Sequence, residues 1–229
     1  MKTLLLILAL SCNLNALTLG EIRTDVRSLI TDGQGTRQRF SDSELNNWIN
    51  EGQRVTDAAT LCTYKKLTFD LQIGVTYYNL PSDFLDIIRV TRTFLSLQEL
   101  TPAGLDGRSA EWENQSGLPT YYFINFSSRT RIGFAPFPML SSDTETIRVE
   151  YRAYNPTMTS DSDIPFGGIV EFFPFHYSLT YYAAFKASMV DERDNKSKVF
   201  MESYTSMNKL MKDQCISRPN YRPQMIGKQ

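Results

Sequence analysis

At 229 residues the chain is long enough to bury a sizeable core, as one domain or as one domain carrying a large insertion. With 41% hydrophobic and 21% charged residues it is not globally disordered, and a formal net charge of -1 excludes a whole-domain basic footprint for nucleic acid. Cys12, Cys62 and Cys215 contain no Cys-x-x-Cys pair, so they offer neither a zinc site nor a disulfide framework.

Residues 1–16 place Lys2 before an apolar run from Leu4 to Leu10, followed by small or polar residues through Ala16. This is the outline of a secretory signal cleaved after Ala16. Against it, Leu14 occupies the position three before the cut, where a small residue is preferred. A non-functional apolar extension, or a true start codon further downstream, is the alternative. The run is too short to span a bilayer on either reading.

Two capped helices follow. Thr18-Leu19-Gly20-Glu21 and Ser41-Asp42-Ser43-Glu44 are capping boxes, each ahead of an apolar stripe of helical period. The first stripe is Leu19, Ile22, Val26, Leu29 and Ile30, stopped by the turn residues Thr31-Asp32-Gly33-Gln34-Gly35. The second is Leu45, Trp48, Ile49, Val55 and Ala59, with an end expected near Leu61. Gly52 inside it reads either as a close helix approach or as a tolerated weak point.

The period then changes to two. Leu67, Phe69 and Leu71 alternate with polar residues, and Phe84 to Arg92 turns into a β-branched run. Residues 101–119, rich in Gly and Pro, read as a long loop with a helical turn around Ser109–Glu113. Tyr121 to Phe126 and Arg131 to Phe134 form a strand pair, and Thr146 to Arg152 alternates with Ile147, Val149 and Tyr151 on one face. Arg89, Arg92, Arg129, Arg131, Arg148 and Arg152 are expected on the wet faces of these strands, the alternative being a local basic surface.

Asn155 to Pro165 is a polar linker. A helix from near Glu171 to Val190 follows, with Pro174 in its first turn, and a second runs from about Asn195 to Asp213, with Val199, Phe200, Tyr204, Met207, Leu210 and Met211 expected inward. The pattern predicts an α+β fold: a helical bundle made by the N- and C-terminal helix pairs (17–62 and 166–213), with an inserted, mainly antiparallel β domain (63–165) and an extended tail (214–229).

Catalytic chemistry finds little footing. His176 is the only histidine, it lies on an aromatic face, and no nucleophile turn accompanies it. Glu111 with Glu113, and Asp83 with Asp86, sit in turn-like stretches where carboxylates cap and solubilise. Asp161-Ser162-Asp163 lacks the glycine and closing glutamate of a calcium loop. No phosphate-binding glycine motif is present, so no enzyme activity, cofactor or metal is expected. The twelve tyrosines and fourteen phenylalanines are the remaining signal. Phe172, Phe173 and Tyr181 crowd more than one face of a helix, and are expected either to meet another subunit or the β insert, or to fill a generous core of the monomer.

Short signatures in a fixed order carry a resemblance. They are Thr18-Leu19-Gly20-Glu21-Ile22-Arg23, Phe40-Ser41-Asp42-Ser43-Glu44-Leu45, Trp48-Ile49-Asn50-Glu51-Gly52-Gln53, Tyr78-Asn79-Leu80-Pro81-Ser82-Asp83-Phe84 and Ile88-Arg89-Val90. Gly117-Leu118-Pro119-Thr120-Tyr121-Tyr122, Phe134-Ala135-Pro136-Phe137-Pro138 and Tyr181-Tyr182-Ala183-Ala184-Phe185-Lys186-Ala187 complete the set. From Thr18 onward the chain resembles bacteriophage head-to-tail adaptor (connector) proteins. The resemblance implies a structural virion protein at the head–tail junction, assembled in the host cytoplasm as a ring, commonly of twelve copies. It implies portal and tail proteins as partners, DNA passing through without sequence-specific binding, no membrane, and portal docking by Arg218, Tyr221 and Arg222 of the tail. The alternative is a secreted or periplasmic ligand-binding module, with residues 1–16 as its signal.

Overall fold

The computed structural model describes residues 16–32, 38–125, 128, 130–138, 145–192 and 194–216. The protein is mixed helix and strand, and its two larger sheets are built mainly of antiparallel pairs. It divides into two units, one of Met1–Gln53 with Thr157–Met211 and one of Arg54–Pro156 with Lys212–Gln229. Two of the three divisions, after Gln53 and after Met211, fall inside helices, and the third follows Pro156.

In the first unit, α1 (Leu19–Ile30) is closed by its capping box: Thr18 Oγ1 accepts the Glu21 amide at 3.3 Å, and Glu21 Oε2 accepts the Thr18 amide at 2.8 Å. Two more of its orphan amides, of Leu19 and Gly20, donate to the carbonyls of Asp163 and Asp161. Leu19, Ile22, Val26 and Ile30 are buried, while Leu29 is only half-buried. Arg27, also buried, reaches Asp32 at 2.5 Å and Asp42 at 2.7 Å, so the helix end is tied down by charge as well as by apolar contact.

The helix α2 (Asp42–Thr60) repeats the device, Ser41 Oγ accepting from the Glu44 amide at 3.2 Å. Its stretch in the first unit buries Leu45, Ile49, Gly52 and Gln53. Gln53 Oε1 accepts the Phe166 amide at 2.8 Å, and Asn50 brackets Met158 by bonding both its amide and its carbonyl. Phe166, Gly167 and Gly168 all carry positive φ, and the fully buried Phe166 holds that turn in place.

The predicted helix start near Glu171 is corrected. Val170–Phe175 is a 3-10 segment, and α4 runs from Tyr177 to Val190. Pro174 has no amide for the fourth helical position and disfavours the helical region at Phe173, so the regular helix begins after it. Helix α5 covers Asp194–Ile216. Consecutive residues Ser178, Leu179 and Thr180 of α4 are all buried, which an amphipathic surface helix does not allow; α4 is the central helix of this unit and packs on α1.

In the second unit the last turns of α2 present Thr56, Asp57 and Thr60 inward, while Val55 and Ala59 face water. This reverses the apolar stripe expected from the sequence. The reason is polar: Asp57 accepts the Asn155 amide at 2.8 Å and its Nδ2 at 2.7 Å, and Asn155 Nδ2 also donates to Thr63 Oγ1 at 3.0 Å. A buried polar group with its partners satisfied outcompetes an isolated valine for the inner face.

The strands are β1 (Tyr64–Asp70), β2 (Tyr77–Asn79), β3 (Phe84–Arg92), β4 (Leu95–Ser96), β5 (Gln98–Glu99), β6 (Ser116–Gly117), β7 (Tyr121–Ile124), β8 (Arg131–Ala135), β9 (Phe137–Pro138) and β10 (Thr146–Ala153). One sheet has the order β1-β10-β3-β4, a second β2-β8-β7-β5, and β6 pairs with β9 alone. Leu67 faces Val149 across β1 and β10, and Val90 faces Val149 across β3, so one register buries Val90 and Val149 and packs the half-buried Leu67 against them. Val90, Ile132, Phe134, Ile147 and Val149 form the centre of this core.

The segment read as a loop carries its own small core. The short helix α3 (Pro102–Asp106) and a 3-10 turn at Trp112–Asn114 place Leu105 and Trp112 against Phe123. Gly133 on β8 is required there, because a Cβ would lie 2.5 Å from Phe123 Cζ.

The reading of the cysteines is corrected. Cys62, just past α2, and Cys215, in the last turn of α5, form a disulfide across 153 residues. Cys12 lies outside the described residues.

Candidate functional site

The chemistry-bearing residues are used for structure. His176 precedes α4 and is fully buried; its Nδ1 accepts the Leu17 amide at 3.1 Å, which places the ring proton on Nε2, where it has no partner. Burial pushes its pKa down to about 4, and its ring lies between Phe166 and Phe173. Asp83 accepts from Lys65 Nζ at 2.6 Å and from the Tyr151 hydroxyl at 3.2 Å, and Asp86 pairs with Arg152. Glu111 and Glu113 are exposed.

The calcium-like stretch is a capping loop. Asp161 makes a bidentate pair with Arg23, both bonds 2.9 Å, and Asp163 accepts the amides of Thr159 and Ser160. Among the described residues no group of three or more His, Cys, Asp or Glu could hold a metal ion. No described helix is long and apolar enough to cross a membrane.

The strand arginines do not form one basic surface. Arg89 pairs with Glu150 at 3.0 Å, Arg152 with Asp86 at 3.2 Å, and Arg131 and Arg148 are exposed. Arg92 is a correction: it is buried, and donates to the Pro119 carbonyl at 3.1 Å beside Glu145. It shares the inward face of β3 with Val90, two residues before it, as strict alternation requires. Arg129 lies outside the described residues.

The aromatic set separates. Phe172 is 1% exposed and packs its ring on Phe166, so it belongs to the core of its own unit and offers no surface to a subunit. Phe173 and Tyr181 are half-buried. Arg218, Tyr221 and Arg222 lie outside the described residues.

Exposed apolar side chains are the feature that aromatic counting missed. In the first unit Met189, Val190, Val199 and Leu210 of α4 and α5 are all more than half exposed. In the second unit the β3–β4 turn holds Phe94 at 95% exposure, with Leu95 beside it. The reading of the last helix is corrected here: spacing placed Val199 and Leu210 inward with Tyr204 and Met211, but the face that α5 buries runs through Ser197, Tyr204, Asn208 and Met211 and leaves both outside.

A family model described as SU10 adaptor protein matches residues 17–223, and the chain belongs to this family of phage head-to-tail adaptors. A search of curated proteins found no match.

Proposed function

We propose that this chain is the repeating subunit of a head-to-tail adaptor ring, seated between portal and tail, through which DNA passes without sequence reading. Family membership supports the class. The observation that carries the assembly is the set of exposed apolar residues Met189, Val190, Val199 and Leu210 on α4 and α5. Side-by-side heterologous contacts that close by rotation would cover them, with Phe173 and Tyr181 contributing.

In this reading the two terminal helix pairs form a bundle along the channel wall and the β domain is the insert. Arg218, Tyr221 and Arg222 dock the tail on the portal, and assembly takes place in the host cytoplasm. A near-neutral subunit, with Arg89 and Arg152 of the strands ion-paired, suits a channel that must not grip DNA.

Val190→Glu with Leu210→Glu tests it. Both side chains are exposed, so stability should change by no more than about 0.5 kcal/mol per site. Co-sedimentation with portal rings should nevertheless be lost. Unaltered co-sedimentation would remove these helices from the interface.

One observation favours the second reading, an exported ligand-binding module. A buried disulfide is typical of proteins that fold in oxidising compartments. Terminal sequencing of the native product separates the two, since a mature start at Leu17 on protein recovered from an exporting cell would contradict placement in the virion.

A further inference from the structure

We propose that the open edge of β1 is a docking strand for this chain's own C-terminal segment, Arg218 to Arg222, which adds to it as a parallel strand in the free subunit. The inference rests on the second unit alone and does not depend on the adaptor reading.

Among the described strands β1 lies at the end of its sheet, with β10 on one side only. The ladder fixes which way its backbone groups face. The Ala153 amide donates to the Thr63 carbonyl and the Leu71 amide to the Glu145 carbonyl. Lys65, Leu67 and Phe69 share that parity and are the residues that bond β10. The amides and carbonyls of Tyr64, Lys66, Thr68 and Asp70 point the other way and bond no described residue. All four residues are exposed. A seven-residue edge of this kind, about 23 Å long, is a template for another strand.

The occupant is chosen by where the described chain ends. Cys215, in the last turn of α5, is joined to Cys62 with their Cα atoms 5.7 Å apart, close to the spacing of paired strands. Cys62 stands two residues before β1. The segment after Ile216, which lies outside the described residues, thus sets out from beside the start of β1. Residues 217–229 are long enough to follow the whole strand.

The sequence of that segment fits one register. In Ser217-Arg218-Pro219-Asn220-Tyr221-Arg222-Pro223 both prolines are odd-numbered. When the even-numbered residues turn their amides to β1, the prolines turn their missing amides to water, where an edge strand tolerates them. The opposite parity would need amides that Pro219 and Pro223 lack. With Arg218, Asn220 and Arg222 beside Lys65, Leu67 and Phe69, three segment amides reach the carbonyls of Tyr64, Lys66 and Thr68. The amides of Lys66, Thr68 and Asp70 reach three segment carbonyls in return. The arginine stems then fall on the side of Leu67 and Phe69, whose surfaces are half-buried and leave room for aliphatic cover. Portal docking by Arg218, Tyr221 and Arg222 would draw the segment off this edge.

Amide exchange of the full chain, resolved by residue with NMR, tests this with two proline variants. Amides of Lys66, Thr68 and Asp70 should be protected in the unaltered protein, to the same degree at every protein concentration. Asn220→Pro should speed their exchange about tenfold or more, while Tyr221→Pro, at a position whose amide faces water, should leave them protected. Amides of Lys65, Leu67 and Phe69 should not change in either variant. Rapid exchange of Lys66, Thr68 and Asp70 in the unaltered chain would overturn the proposal, as would equal effects of the two prolines. Protection that rises with protein concentration would put a second copy on the edge, and would overturn it as well.

Discussion

Gly52→Ala should destabilise the protein, although the same change in an open helix is stabilising. Gly in a helix interior costs about 0.5–1 kcal/mol relative to Ala, so the substitution starts with a gain of that size. Against it, a Cβ at position 52 would lie 2.9 Å from Tyr182 Cδ1, 3.0 Å from Cγ and 3.1 Å from Cβ. These are the atoms of the tyrosine nearest its backbone, so the ring cannot swing aside. Its far end is also fixed: the hydroxyl donates to Glu51 at 2.9 Å, and the ring lies 5.0 Å from that of Tyr204. Tyr204 in turn donates to the Gly52 carbonyl at 3.3 Å. Overpacking of this kind costs about 1–3 kcal/mol, which leaves a net loss of about 1 kcal/mol, or a melting temperature lower by about 2–4 °C. Urea unfolding followed by circular dichroism should show a lower midpoint with an unchanged slope. In a Tyr182→Ala background the sign should reverse, because the clash is gone and the helix propensity remains. A higher midpoint for Gly52→Ala in the otherwise unchanged protein would refute the close approach of α2 and α4.

Three further outcomes are expected. His176 is held near a pKa of about 4 by burial, below the usual histidine value. Its contribution to stability is therefore complete above the unfolded value of about 6.5 and is lost as pH falls towards 4. A His176→Asn variant should lack that acid-side loss in unfolding measured across pH 7 to 4. Asp57 behaves in the opposite sense: burial raises its pKa to about 6, so its stabilising contribution is present at low pH and is lost as pH rises from 3.8 through 6. Asp57→Asn should flatten that slope while lowering stability throughout, because its amide cannot accept both Asn155 donors. Gly133→Ala should cost about 1–3 kcal/mol in a urea titration, since the new Cβ meets the ring of Phe123.

The features legible in the sequence were those decided within a few residues. The capping boxes at Thr18 and Ser41 close through the expected hydrogen bonds because both partners lie three residues apart. The alternation from Thr146 to Arg152 fixes which side chains of β10 are buried for the same reason. Arg92 shows the limit of weighing residue type over pattern, since its parity with Val90 sent it inward against the preference of a charged group. Val55 and Ala59 were misplaced because the inner face of α2 in the second unit is chosen by Asn155, a residue 98 positions from Asp57. The disulfide was hidden for the same reason, its partners lying 153 residues apart with no local spacing to pair them. Small helices inside 101–119 depend on Leu105 and Trp112 reaching Phe123, a contact that composition alone does not reveal.

The assembly claim is tested most directly by electron microscopy of purified residues 17–229 mixed with the portal rings encoded by the same genome. The account predicts closed rings of this chain stacked coaxially on the portal, with an open central channel and neighbouring copies in contact through α4 and α5. A chain that remains monomeric in the presence of those portal rings would contradict it.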